Sequence, residues 1–198
     1  MNEPAATVLA TAPVVLALLA AWAVGEAIAL PIVPDVGVGI LALGTPAALG
    51  WPLAAVIAGG VAGALVFARL RTSRPASVRR LLAAQPGLGP HGLASARDRV
   101  RRVGSRRAFA QLGPGLPLKA WIDAQLDLHP STGARELATL ALINRLTRIV
   151  PVVAAFTAIG LVVRPPGLPA SLVMSVYVAG WVAFYGVFWW SRRAPSAL

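Results

Sequence analysis

Five apolar stretches of roughly spanning length, 5–24, 26–49, 51–70, 136–163 and 168–190, dominate the chain, and one of them cannot be a straight helix. Its beginning, GEAIALPIVPD from Gly25 to Asp35, sets two carboxylates, Glu26 and Asp35, and two helix breakers, Pro31 and Pro34, inside an otherwise lipid-soluble run. Proline costs about 3 kcal/mol in a helix interior, because it removes a backbone donor and clashes with the preceding turn. Gly37, Gly39, Gly44 and Pro46 add further breaks. In hydrocarbon an unpaired backbone group costs several kcal/mol, so broken backbone is tolerated there only against protein or a wet cavity. The run 26–49 is therefore expected to be a re-entrant hairpin that lines a cavity.

With 57% hydrophobic and 13% charged residues over 198 positions and a mean hydropathy of +0.72, the composition lies outside that of soluble domains of this length. An all-α, polytopic membrane protein is expected. The chain has no Cys, which excludes a disulfide framework, a thiolate nucleophile and any Cys-based metal centre. A formal net charge of +11 would suggest nucleic acid in a soluble protein, but the cations are not spread evenly. From Arg69 to Arg107, eleven arginines stand against one acid, Asp98, with no interleaved aromatic other than Phe109. That is the positive-inside pattern of a cytoplasmic loop rather than a nucleic-acid surface. The run 5–24 is preceded by Glu3 and no basic segment, so it reads as a retained helix rather than a signal peptide. A single Lys among many Arg, Ala, Gly and Pro fits a GC-rich bacterial genome, and the expected location is the bacterial cytoplasmic (inner) membrane.

Run 51–70 carries Gly59, Gly60 and Gly63 at helical spacing, where small residues let another backbone approach, and packing is their expected role. In the linker 71–107, SVRRLLAA and SARDRVRRV each put Leu or Val on one side and Arg on the other, separated by the breaker-rich QPGLGPHG. Two short surface helices fit, either drawn to anionic headgroups at about 1 kcal/mol per arginine or simply solvated and fixing topology. A second broken run, 108–130, again combines an apolar start with the breakers Pro114, Gly115 and Pro117 and the polar residues Gln111, Lys119, Asp123 and Asp127. Each half of the chain thus carries a broken, carboxylate-bearing segment followed by a more regular run. Such repetition points to a binding site between structural repeats in transporters. The expected architecture is one membrane domain, with re-entrant hairpins at 26–49 and 108–130 among spanning helices in an inverted-repeat-like arrangement.

The order Glu26, Pro31, Pro34, Asp35, then AVIAGGVAGALVFARL, then a basic linker ending in RVRRVGSRRAFAQLGPGLP, then Pro130, resembles the DedA family, also called VTT-domain or SNARE-associated-type membrane proteins. The resemblance runs from Gly25 to Val163. It implies two re-entrant hairpins meeting at the membrane centre and the movement of lipids, undecaprenyl phosphate in bacterial members and phospholipids in eukaryotic ones. The family pattern at the second hairpin reads Arg, two apolar residues, Pro-Gly, one residue, Arg. With Pro114 and Gly115 in register, Gln111 and Pro117 stand where those arginines would be. The family's acids have counterparts in Glu26 and Asp35, and Lys119, Arg145 and Arg148 are the cations at hand to replace the arginines.

An acid near the centre of a spanning helix costs about 2.5–3.5 kcal/mol unless it faces water or a cation. Glu26 and Asp35 therefore suit a proton-coupling pair, although Glu26 also fits an interface where the first helix ends. INRLTRIVP sets Arg145 and Arg148, beside Asn144, on one helical face. Pointing inward they supply charge for a lipid phosphate or for the acids; pointing outward they snorkel and anchor the helix. Asp123 and Asp127, one turn apart behind Lys119, read as a polar path or as a wetted surface face. His91 and His129 lack ligand spacing, so neither a metal nor a cofactor is expected. No phosphate loop or nucleophile triad is recognisable, and an enzyme is not expected. Trp121, Trp181, Tyr185, Trp189 and Trp190 read as interfacial belt residues.

The expected function is translocation of a polyprenyl phosphate or a phospholipid, with or without proton coupling, and the expected partners are membrane lipids. The alternative, which Gln111 and Pro117 allow, is a non-transporting accessory subunit that keeps the fold and binds a partner membrane protein or a second copy of itself. A weaker third reading rests on a loose likeness of PG followed by RLTRIVP to the flippase region of lysyl-phosphatidylglycerol synthases, for which the chain is short.

Overall fold

The computed structural model describes residues 11–44, 46–85, 88–110, 116–162 and 170–191, and all regular structure among them is helical. Helix α1 (Pro13–Ile28) starts with proline, at a position whose N–H a helix leaves unpaired anyway. It ends where the N–H groups of Ala29 and Leu30 both turn back to Gly25 O, at 2.7 and 2.8 Å. Pro31 follows at once, and residues 29–34 run as turn and bend. Helix α2 (Asp35–Gly44) then restarts with Asp35 in its first turn, where the helix dipole favours a carboxylate. Pro34 supplies the carbonyl that accepts Val38 N–H at 3.2 Å, a bond for which it needs no N–H of its own. A 3₁₀ turn, Pro46–Ala48, leads into helix α3 (Gly50–Ser73).

The most extensive helix pairing in the fold is α1 on α3, and two glycines permit it. A Cβ on Gly59 would lie 2.9 Å from Ala20 Cα, and one on Gly63 would lie 2.8 Å from Val24 Cα. Backbone cannot yield as a flexible side chain can, so any larger residue forces the helices apart. Gly59→Leu should lower the thermal midpoint of the detergent-solubilised protein by several degrees, equivalent to about 1–3 kcal/mol of overpacking. Ala62→Leu, on the exposed side of the same helix, should leave it unchanged. Equal midpoints for the two variants would show that close α1–α3 approach does not depend on glycine.

The basic stretch folds into α4 (Pro75–Ala84), α5 (Gly89–Val103) and α6 (Ser105–Phe109). Its apolar residues do not lie open. Val78, Leu82, Leu88, Ala96, Val100 and Phe109 join Phe67, Trp121 and Ile122 in one buried cluster, while Arg79, Arg80, Arg99, Arg101 and Arg102 stay exposed. Helix α7 (Leu118–Leu128) is enclosed by this cluster and is buried from Leu118 through Gln125. Trp121, expected in an interfacial belt, is therefore only 1% exposed, with Nε1 donating to Leu116 O at 3.1 Å.

Helices α8 (Ala134–Val162) and α9 (Ala170–Ser191) complete the described fold. Gly50–Ser73 and Ala134–Ala158 are long and apolar enough to cross a membrane; Pro13–Ile28 and Ser175–Val187 are apolar but shorter. A second buried cluster gathers Leu19, Ala23, Val38, Ala42, Val56, Ile149 and Val153 from α1, α2, α3 and α8. On three helices a single position separates this cluster from the first. Glu26 lies between Ala23 and Ala27, Gly60 between Val56 and Ala64, and Arg145 between Ala141 and Ile149. The two apolar cores meet at a polar layer.

Candidate functional site

Glu26, Arg145 and Lys119 converge on that layer from α1, α8 and α7. Arg145 is completely buried, and its Nη2 donates to Glu26 Oε2. Space for the guanidinium comes from Gly60, where a Cβ would lie 3.0 Å from both Cδ and Cζ of Arg145. One helical turn onward, Arg148 Nε stands 3.4 Å from Asp35 Oδ2, long for a charged hydrogen bond. Both arginines point inward. Lys119 Nζ donates to Glu26 O at 3.1 Å and to Leu30 O at 3.0 Å. It thus caps the end of α1, whose last carbonyls have no partner within the helix and carry the negative end of its dipole. Asn144 Nδ2 donates to Phe109 O at 2.9 Å, tying α8 to the end of α6.

The layer holds three cations, Lys119, Arg145 and Arg148, against two carboxylates, Glu26 and Asp35. Asp35 Oδ1, Asn144 Oδ1 and the Nε and Nη1 groups of Arg145 are buried with no hydrogen-bond partner among the described residues. Buried polar groups are normally paired, with protein, water or ligand.

Beside this layer, between α9, α8 and the break after α1, lies a cavity of about 490 Å³. Asp35 and Arg148 form its polar end, and Phe156, Tyr177, Trp181 and Tyr185 supply an aromatic wall. Tyr177, Trp181 and Tyr185 recur every fourth residue and share one face of α9. Trp181 stacks on Tyr185 at 5.6 Å, and Phe156 meets Tyr177 edge-on at 4.7 Å. Two hydroxyls fasten this face to the first broken run. Tyr185 Oη accepts Val33 N–H at 3.1 Å, and Tyr177 Oη donates to Val36 O at 3.3 Å. Gly39 makes room, since a Cβ there would lie 2.9 Å from Tyr177 Cζ and 3.4 Å from Phe156 Cδ2. Trp181 and Tyr185, read from sequence as belt residues, thus line a cavity, because their face of α9 turns toward α2 and α8. The side chains of Trp189 and Trp190 lie outside the described residues.

Asp123 and Asp127 take no part in the central layer. Arg71 of α3 pairs with both, Nε to Asp123 Oδ1 at 2.5 Å and Nη2 to Asp127 Oδ1 at 2.6 Å. Arg97 of α5 adds Nη2 to Asp127 Oδ2 at 2.6 Å and to Asp123 Oδ2 at 3.5 Å. The network is neutral and clamps the linker helix α5 to α3 and α7. Asp123, at 2% exposure, lies on no wetted face, since the two arginines enclose it.

Gln111, Pro114 and Gly115 lie outside the described residues. Pro117 precedes α7, and its carbonyl accepts Ala120 N–H at 2.9 Å. Pro31 is exposed and Pro34 buried, and His91 and His129 are both exposed. Among the described residues no group of His, Cys, Asp and Glu is arranged to hold a metal. Sequence reasoning missed Gly39, Gly60, Tyr177, Arg71 and Arg97 as parts of these sites. The glycines carry no local signal that separates making room for a side chain from helix packing. Comparison of the chain with protein-family models, with curated proteins and with solved structures returns no match.

Proposed function

We propose that the chain is a multi-pass protein of DedA-like fold in a bacterial cytoplasmic membrane, and that it moves a lipid with a phosphate headgroup between leaflets. The observation that carries this reading is a part-buried arginine, Arg148, at the polar end of a cavity, beside a layer in which three cations stand against two carboxylates. An unpaired charge in low dielectric costs several kcal/mol, and a bound anion relieves that cost. The broken runs 26–49 and 108–130 are re-entrant hairpins in this reading, which requires protein or a wet cavity around their broken backbone.

The three cations divide the labour. Lys119 and Arg145 hold the frame through α1, while Arg148 lines the cavity and makes a long pair with Asp35. Arg148 is thus the group that meets the phosphate, in place of the arginines that the resemblance leads one to expect at Gln111 and Pro117. The aromatic wall then receives the first carbons of the lipid tails. Proton coupling through Glu26 and Asp35 is not required.

Purified protein in liposomes is expected to move a fluorescent phospholipid or a polyprenyl phosphate from one leaflet to the other. Arg148→Gln should slow this roughly tenfold or more, the loss of one charged hydrogen-bond partner being worth about 1.5–3 kcal/mol, and Arg148→Lys should retain part of the rate. A wild type that moves neither lipid, and that copurifies stoichiometrically with another membrane protein, would replace this reading with the accessory subunit.

A further inference from the structure

We infer that the arginine-bearing faces of α4, α5 and α6 dock by charge on anionic phospholipid headgroups of the leaflet on their side, as a peripheral surface separate from the cavity. This rests on the membrane placement proposed above and not on lipid movement. The starting observation is the exposed stripe of α3. Ala54, Ala58, Ala62 and Val66 are exposed at helical spacing, bounded at one end by Trp51, 69% exposed, and at the other by the exposed Arg69. At ~1.5 Å per residue, Trp51 and Arg69 stand about 27 Å apart along the helix, close to the ~30 Å hydrocarbon thickness of a bilayer. Tryptophan and arginine are side chains that settle at its interfaces. Helix α8 runs antiparallel to α3, since Gly60 receives Arg145 while Val56 and Ile149 share one core and Ala64 and Ala141 the other. Its exposed Leu142, Leu146 and Val150 lead back to the exposed Arg135, so both helices put an arginine at the same end.

The basic linker is held at that end. Only Arg74 separates α3 from α4, and Arg71, just beyond Arg69, is joined to Arg97 of α5 through Asp123 and Asp127. Interfacial helices ordinarily bind by sinking an apolar face among the lipids, but α4 and α5 have none to offer. Val78, Leu82, Ala96 and Val100 are buried in the first core. What α4 to α6 present outward is arginine: Arg79, Arg80, Arg99, Arg101, Arg106 and Arg107 are all exposed. The one acid on these three helices, Asp98, already pairs with Arg102 at 2.8 Å, so the other arginines are not neutralised along their own helices. Planar, permanently charged guanidinium groups suit phosphate oxygens, and an anionic leaflet attracts arginines near its surface. A soluble polyanion would meet the same charge, but the position of the linker beside Arg69 and Arg71 favours the leaflet. With the apolar faces buried, the contact is electrostatic and therefore sensitive to salt.

The test reconstitutes the full chain in phosphatidylcholine vesicles and compares spin-labelled phosphatidylglycerol with spin-labelled phosphatidylcholine, reading the fraction of each that is slowed at the protein surface. At low salt the anionic lipid should be preferred roughly fivefold, the weight of about one arginine near an anionic surface. In molar salt, where the screening length falls to about 3 Å, the ratio should drop toward one. A variant combining Arg79→Gln, Arg80→Gln, Arg99→Gln and Arg101→Gln changes only exposed side chains. It should lose most of the preference at low salt and keep its thermal midpoint. A wild-type ratio near one at low salt would overturn the inference, whether or not the protein then binds a soluble polyanion such as heparin. A preference that survives molar salt, or that the variant retains, would also overturn it by assigning the preference to another part of the protein. A chain that stays in solution without detergent or vesicles would remove the membrane placement and the inference with it. A wild type that shows the preference but moves no lipid would leave the inference standing. If the variant does not fold, the wild-type ratio and its salt dependence alone decide.

Discussion

Glu26→Ala is expected to destabilise the protein by about 3–5 kcal/mol, the cost of removing one partner of a buried ion pair and leaving the other uncompensated. Arg145 is completely buried and Glu26 is 1% exposed, so water cannot replace the lost carboxylate. The other carboxylate of the layer, Asp35, is engaged by Arg148. Arg145→Met should cost a similar amount, now by stranding Glu26. The double variant Glu26→Leu with Arg145→Met should recover most of the loss, because an apolar pair of similar volume often replaces a buried ion pair at little cost. Equilibrium unfolding in detergent measures all three. Single variants as stable as the wild type would mean that the pair contributes nothing, and a double variant worse than either single would mean that the pair is not the unit.

The double variant also separates frame from function. It removes one charge of each sign and so keeps the layer's surplus of one cation. Under the lipid reading, movement should return along with stability. If stability returns and movement does not, Glu26 acts beyond the frame, as a member of a proton-coupling pair would.

The polar layer was legible in the sequence for a simple reason. Glu26, Asp35, Lys119, Arg145 and Arg148 are charges inside apolar runs, where each needs a partner, and few partners exist. The break after α1 was legible from Pro31 and Pro34 on equally local grounds. What stayed hidden depends on distance along the chain. Arg71 and Asp123 are 52 residues apart, and nothing local marks Arg71 and Arg97 out from the other nine arginines of the basic stretch. Gly60 resembles Gly59 and Gly63, yet the latter two admit the backbone of α1 while Gly60 admits a side chain from α8. Trp121 and Tyr185 were assigned to an interface because aromatic residues gather there. One is enclosed in the first core and the other faces a cavity, placements set by packing that periodicity alone does not encode.

Lys119→Met should destabilise the protein by roughly 2–4 kcal/mol, and the change should be felt first at a segment remote in sequence. Two hydrogen bonds from a charged donor are lost, each worth about 1.5–3 kcal/mol at most in this setting, offset in part by the relief of a buried ammonium. The acceptors are Glu26 O and Leu30 O, 93 and 89 residues upstream, at the point where α1 gives way to the broken run. Without the cap, those carbonyls face apolar surroundings at the negative end of the helix dipole. The amides of Ala29 and Leu30, which bond back to Gly25 O, should then exchange hydrogen faster, whereas those in the middle of α3 should follow only the global loss. Lys119→Arg keeps donors in the same place but adds bulk to a site that is 1% exposed, so it should fall between wild type and Met. Unchanged exchange at Ala29 and Leu30 in Lys119→Met would show that the lysine does not hold the break. If exchange rises as expected, the second broken run fixes the end of the first through one side chain, and the geometry of Glu26 and Asp35 depends on α7 as much as on their own helices.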